Sequence, residues 1–330
     1  MEKNIVNNQC PICSFTSNTF SSIEYLNTLF NTSIFLSKKI IICPECGFGF
    51  LDSYFEQNDL NQFYANHYRY GSVFQRSVFS DAFRIPYRAI AQLLLVNTFI
   101  SQVKVENILD IGAGHGDIFD IAKIIFNKSQ YYAFEPDNST QVKLEKKYVN
   151  IFKELFSAKK DYADIKQRFD IIIMSHVLEH FNGHDILSVL KNISYLLSNK
   201  GVALIEVPND DMEYNGKHRE NDAPHLSFFT IESLTKAIKN SDLELLYITT
   251  CGITLEEEFN IQSNITQKSK LKEIVKKIPL LKCFYTFLKF IISIVKYMLH
   301  KHDYRMIISN KYFMYGDDRI WIRAIVKKKN

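Results

Sequence analysis

The chain has 330 residues, of which 46% are hydrophobic, and carries a net charge of +4. A composition this apolar excludes a disordered polymer, and so small a charge argues against a dedicated polyanion binder, with DNA excluded as a partner. The length allows one large domain with an appendage, or two domains.

The opening stretch, Met1 to Gln9, is polar and lacks the apolar run of an export signal. The expectation is a chain kept in a reducing cytosol, where paired cysteines bind metal more often than they form disulfides. Cys10-Pro11-Ile12-Cys13 and Cys43-Pro44-Glu45-Cys46 are two Cys-x-x-Cys knuckles with 29 residues between them. Each knuckle puts two thiolates on one face of a tight turn, and two knuckles complete the tetrahedron of sulfurs that structural zinc prefers. Cys10, Cys13, Cys43 and Cys46 are therefore expected to hold a structural Zn2+ in a small module over residues 1–50. A two-stranded hairpin would fill the spacer, and Thr32 to Ile42 has the β-branched and aromatic content for its second strand. Cys251 and Cys283 stand alone and read as core residues.

Residues 51–106 form a bridge crowded with aromatics, including Tyr54, Phe55, Phe63, Tyr64, Tyr68, Tyr70, Phe74 and Phe79. A helix is predicted over Arg84 to Ser101. The aromatics either close over a ligand or glue the cysteine module to the remainder of the chain, and both roles are compatible.

The next stretch organises the chain. Ile108-Leu109-Asp110-Ile111 reads as a buried parallel strand. Gly112, Gly114 and Gly116 come next at alternate positions, then apolar residues at helical spacing from Ile118 to Phe126, then Tyr131-Tyr132-Ala133-Phe134-Glu135-Pro136. Glycines allow positive φ and close approach of a ligand to the backbone, and a helix start beside them offers unpaired N–H groups. The dinucleotide fingerprint would need a small residue at position 117, where this chain has Asp117. Asp110 ahead of the loop suits a ligand bearing an ammonium group better than a pyrophosphate. Glu135, ending the second strand, suits a ribose diol.

On these residues the chain resembles the class I S-adenosylmethionine-dependent methyltransferases, over roughly 107–250 and again at the last strand. The resemblance implies an α/β, Rossmann-like seven-stranded sheet, with Asp110, Gly112, Gly114 and Gly116 around the methionine part of the cofactor and Glu135 at its ribose. It also implies that Tyr68, in the bridge, and Ser175 and His176, past the fourth strand, join the cofactor site.

Phe169 to Ser175 is the expected fourth strand, Ile186 to Leu197 a helix, and Val202 to Val207 the fifth strand. His176-Val177-Leu178-Glu179-His180 between them also matches the inverted zinc-peptidase signature. That signature needs both histidines one turn apart on a helix, and here the string comes directly after a strand. Methyl transfer to a hydroxyl or acidic carbon needs a proton acceptor, and histidine suits cytosolic pH. His180 is the first candidate, with Glu179 orienting it, and His225 in Pro224-His225-Leu226-Ser227-Phe228-Phe229 is the second. Each has a competing reading as a structural hydrogen-bonding residue.

Asp210 to Ala223 is a polar loop that suits hydroxyl or phosphate recognition, or simple solvation. Leu243 to Thr250 and Arg319 to Lys327 read as the sixth and seventh strands, normally a hairpin but here separated by about 70 residues. This insertion, 252–318, includes an apolar stretch with Lys282, Lys289 and Lys296 in one stripe. Residues 268–300 therefore suggest an interface helix at the inner membrane face, or a protein contact or lid.

The whole arrangement, knuckles ahead of the glycine loop, resembles bacterial sugar C- and O-methyltransferases, and that resemblance implies a cytoplasmic methyltransferase domain over 107–330 that acts on a nucleotide-sugar or glycan acceptor in surface polysaccharide or deoxysugar biosynthesis. A hydroxyl is the preferred acceptor and carbon the alternative. RNA methylation gripped by the zinc module and the lysines, and a non-catalytic glycan-assembly scaffold, are the competing readings.

Overall fold

The computed structural model describes residues 3–4, 9–18, 20–30, 32–66, 86–100, 104–210, 221–257 and 310–329. The expected segments around Tyr68 and Tyr70, the centre of the polar loop and the stretch 268–300 lie outside them. No helix among the described residues is long and apolar enough to cross a membrane.

Near the N-terminus, β1 (Lys3–Asn4) pairs antiparallel with β5 (Ser53–Tyr54) of the bridge. The principal sheet is built on β6 (Asn107–Ile111), β7 (Gln130–Phe134), β8 (Asn150–Phe152), β9 (Phe169–Ser175), β10 (Leu197–Pro208), β12 (Leu243–Thr254) and β14 (Arg319–Lys328). Their order across the sheet is β12-β14-β10-β9-β6-β7-β8, and the two-residue β13 (Tyr315–Gly316) adds to the β12 edge. Neighbours from β10 across to β8 pair in parallel, whereas β14 runs antiparallel to both of its neighbours. The expected sixth and seventh strands thus pair despite the long insertion between them.

Both faces of the sheet are covered, and the strands are accordingly near-continuous apolar runs. Alternate residues serve opposite faces. Leu109, Ile111, Ile172, Met174, Ala203 and Ile205 join one cluster, with Ile186, Leu190 and Ile193 of the helix Ile186–Leu196. Ile108, Ile171, Ile173, Val202 and Leu204 join the other, against Leu93, Val96 and Ile100 of the helix Tyr87–Ile100.

The cysteine knuckles are not a detached appendage. A second sheet runs β11 (Ser227–Phe228), β4 (Gly49–Leu51), β3 (Lys39–Ile42), β2 (Ser21–Glu24). β2 and β3 supply the expected hairpin, but its second strand begins at Lys39, because Ser33–Phe35 turn as a short 3-10 helix. β11 belongs to the segment just after His225 and pairs Ser227 with Phe50. Cys10, Cys43, Cys46, Phe48 and Phe50 share one apolar cluster with the face of the principal sheet. Thr230 caps the adjoining helix, Ile231–Lys239, and its hydroxyl also donates to the Cys46 carbonyl at 3.0 Å.

Candidate active site

The glycine loop has the conformation that its composition calls for. Gly112, Gly114 and Gly116 have φ of +75°, +53° and +73°. A Cβ at Gly112 would come within 2.5 Å of Val177, and one at Gly116 within 2.6 Å of Leu144. Backbone strain and lack of space thus both select glycine at these two positions. Glu135, at the tip of β7, ties the turn down: one carboxylate oxygen accepts from the Gly114 N–H at 2.7 Å and the other from the Asp137 N–H at 3.0 Å. Asp110 is buried at 4% exposure. Burial first, and then the charge of Glu135, hold its carboxyl well above the usual carboxylate range.

A cleft, open at its mouth, lies over the C-terminal ends of β6, β7 and β9. Gly112, Glu135, His176 and His180 line it, as do Phe134, Asp137, Phe156 and Val177. Asp110, Gly114, Gly116, Ser175, Glu179 and His225 are not among the lining residues. The wall opposite comes from the bridge, including Tyr54, Phe55 and Tyr64. The Asn182 side chain holds it there, accepting from the Phe55 N–H at 2.9 Å and donating to the Phe55 carbonyl at 3.0 Å. Tyr54 donates to Asp185 at 2.9 Å.

The histidine string does not form a helix. His176 has φ +55°, and Leu178–His180 make a single 3-10 turn, so the peptidase geometry is not present. His176 bridges two buried carboxylates: its Nδ1 is 3.3 Å from Glu179 and its Nε2 is 3.5 Å from Glu206. Burial and Arg88 push its pKa down, but the carboxylates outweigh them and leave it raised. Glu179 thus faces His176 at its nearest charged contact. Burial opposes its ionisation, but His176 and the other neighbouring imidazoles bring its pKa to about 2.

His180 and His225 meet edge to face with ring centroids 5.1 Å apart. Burial lowers the pKa of His180, and burial together with the charge of His180 brings that of His225 to about 3. His180 Nδ1 lies 3.4 Å from the Pro224 carbonyl.

A polar core behind the cleft escaped sequence reasoning. Ser175 accepts from Gln92 at 2.8 Å and donates to Glu206 at 3.2 Å, so its hydroxyl serves this core. Arg323 pairs with Glu206, and Arg88 lies over the Trp321 ring at 4.7 Å. The available signal was a lone charge inside each apolar strand, Glu206 in one and Arg323 in the other. Asp137, Asn182 and Asp185 carried no comparable signal.

The four knuckle cysteines converge. Cys10 and Cys46 sulfurs are 3.8 Å apart, Cys13 and Cys43 sulfurs 3.6 Å apart, and all four lie within 4.8 Å of one another. A tetrahedron of Zn–S bonds of about 2.3 Å has edges of about 3.8 Å, so the residues present fit a zinc ion.

Residues 80–248 match a family described as methyltransferase domain, just over half of the chain. No curated protein matches. Among solved structures, the chain is similar to the O-methyltransferase of a trans-AT PKS multienzyme from Brevibacillus brevis, in complex with S-adenosyl-L-homocysteine. That likeness has 17% identity, covers 73% of this chain and 72% of the other, and has a TM-score of 0.43. An S-adenosylmethionine-dependent methyltransferase from Clostridium acetobutylicum is similar at 10% identity, covering 74% and 93%, with a TM-score of 0.45. Coclaurine N-methyltransferase bound to N-methylheliamine and S-adenosyl-L-homocysteine is similar at 15% identity, covering 73% and 70%, with a TM-score of 0.44.

Proposed function

The chain belongs to the methyltransferase-domain family, and on that premise we propose that it moves the methyl group of S-adenosylmethionine to a hydroxyl of a sugar or glycan precursor. The observation that carries the cofactor assignment is Glu135, a buried carboxylate at the end of β7 that lines the cleft and is locked by the Gly114 N–H at 2.7 Å. Held there, it presents acceptor lone pairs to a ribose diol. Phe134, Phe156 and Val177 offer apolar walls for a base, and Asp110, buried two residues ahead of Gly112, gives the methionine end a carboxyl neighbour. Bound there, the cofactor supplies a methyl group on a sulfonium, and the chain's task is to align the acceptor and take its proton.

For that proton we assign His180. It lines the cleft, burial lowers its pKa, and the Pro224 carbonyl lies 3.4 Å from its Nδ1. His225 stands against it as a second imidazole. A hydroxyl-rich acceptor finds Gln57, Asn182 and Asp185 in the same wall. The carboxylates of Glu135, Asp137 and Asp185 around the cleft oppose a polyanionic RNA strand. The knuckles are read as holding structural Zn2+, which would brace β3, β4 and, through β11, the segment that carries His225.

The test is label transfer from methyl-labelled S-adenosylmethionine to a panel of nucleotide sugars and to bulk tRNA. Label on a nucleotide sugar or glycan, and none on tRNA, is expected. The reverse pattern would replace the sugar reading with RNA methylation.

A further inference from the structure

A parallel sheet receives its ligands along one edge, at the C-terminal ends of its strands. The cleft occupies that edge at β6, β7 and β9. Beyond it the edge continues to the end of β10, where Pro208 pairs with Trp321 of β14. His176 joins the two regions: it lines the cleft, and its ring meets that of Trp321 edge to face, with centroids 6.0 Å apart.

Two cations gather on this continuation. Tyr312 and Trp321 stack with centroids 5.0 Å apart and an angle of 8° between their planes. Arg88, in the first turn of the helix Tyr87–Ile100, has its guanidinium carbon 4.7 Å from the Trp321 centroid and 5.2 Å from that of Tyr312. The Lys311 ammonium is 5.1 Å and 5.5 Å from the same two centroids. Each contact is favourable alone, but two like charges over one aromatic pair repel each other.

The carboxylates at hand do not balance them. Glu206 lies 3.5 Å from Arg88 Nε and is the one carboxylate among the described residues that pairs with it. That carboxylate already serves Arg323, whose Nε is 2.6 Å away. Among the described residues Lys311 pairs with no carboxylate. Asp317 and Asp318, a few positions on, line a different groove beside Gly47 and Thr230. The Arg88 side chain is 35% exposed, and Lys311 and Tyr312 are half-buried, so the cations are open to a solute. Charge is thus sorted along the sheet edge, with Glu135 and Asp137 at the β7 end of the cleft and Arg88 and Lys311 beside β14.

We infer that Arg88 and Lys311, mounted on the Tyr312–Trp321 pair, form a subsite for the diphosphate group of a diphosphate-linked sugar acceptor. An anion between the two cations relieves their repulsion. Arg88 offers it a planar fork and Lys311 a point charge, one cation for each phosphate. The subsite deepens the methyl-transfer reading of the cleft and rests on it, because it places the acceptor's phosphates past His176 and its sugar toward His180.

Inorganic pyrophosphate is the probe, titrated by calorimetry into the full chain with S-adenosyl-L-homocysteine present to occupy the glycine loop, whose helix start is itself an anion-accepting feature. Arg88→Gln and Lys311→Gln are compared with Lys128→Gln, an exposed lysine after the helix Asp117–Ile125. Binding to the wild type and to Lys128→Gln, weakened at least about tenfold in Arg88→Gln and in Lys311→Gln, is expected from the loss of a charged hydrogen bond. Arg88→Gln disturbs the buried Glu206 group, so Lys311→Gln decides the matter where Arg88→Gln does not fold. Displacement of the probe by uridine diphosphate ahead of geranyl diphosphate would support the subsite with a nucleotide-linked sugar, and the reverse order would support it with a lipid-linked one. No binding to the wild type, wild-type affinity in Lys311→Gln or in folded Arg88→Gln, or an equal loss in Lys128→Gln would overturn it. Pyrophosphate binding needs no methyl transfer, so a failed label-transfer screen would leave it unmoved and the two readings fail separately.

Discussion

Glu206 and Arg323 stand directly opposite each other on adjacent antiparallel strands, both fully buried, with the guanidinium Nε 2.6 Å from the carboxylate. The second carboxylate oxygen accepts from Gln92 at 3.0 Å and from Ser175 at 3.2 Å. This one group therefore ties β9, β10, β14 and the helix Tyr87–Ile100 together behind the cleft. It also holds in place the end of β9, from which His176 leaves.

Removing one partner should be costly. Glu206→Gln leaves Arg323 buried without its counter-charge and should destabilise the fold by about 3–5 kcal/mol, read from urea unfolding. The pH dependence comes from the sign of the shift. Burial opposes ionisation of Glu206, but Arg323 and the neighbouring His176 and Arg88 outweigh it and hold the carboxyl far below its usual range. A depressed folded pKa contributes stability above the unfolded value and loses it as pH falls through the folded value. The gap between wild type and variant should stay constant from neutral pH to the usual carboxylate range and narrow only below it. A gap that narrows near neutral pH would remove Glu206 as its source.

Glu135 is the test of the cofactor pocket. Glu135→Ala should weaken S-adenosylmethionine binding at least about tenfold, near 1.4 kcal/mol, by calorimetry. The cost includes the lost anchors on Gly114 and Asp137. Unchanged affinity would take Glu135 out of the site.

His180 should separate chemistry from cofactor binding. His180→Gln should lower methyl transfer by about 10²–10⁴-fold, the usual worth of a general base, while cofactor affinity stays as in the wild type. A variant with full transfer would leave His180 with only a packing role against Tyr64 and His225.

Loss of zinc should reach well beyond the knuckles. Structural zinc contributes on the order of 10 kcal/mol in small modules, and here the cysteines share a core with the catalytic sheet. Cys46→Ser should lower the melting temperature and raise hydrogen exchange not only across 39–51 but also at 225–229, through the pairing of Ser227 with Phe50. Exchange confined to residues before position 52 would mean that the module is mechanically separate.

The sheet, the glycine turn and the knuckles were legible because each depends on neighbours in the chain. Apolar runs mark doubly covered strands, alternate glycines mark positive φ, and two paired cysteines mark a tetrahedron. The sixth and seventh strands were equally plain, since Leu243 onward and Arg319 onward bury β-rich runs whatever lies between them.

The amino-acid order by itself determined the fold class, the glycine turn and the two cysteine knuckles. Only the tertiary structure decided that Glu179 faces His176, that His225 meets His180, and that Glu206 and Arg323 form one buried pair. Those contacts join residues 45 to 117 positions apart, or place neighbours such as His176 and Glu179 on a turn rather than a helix. Burial and charge pairing across strands set them, and neither leaves a periodic trace in the sequence.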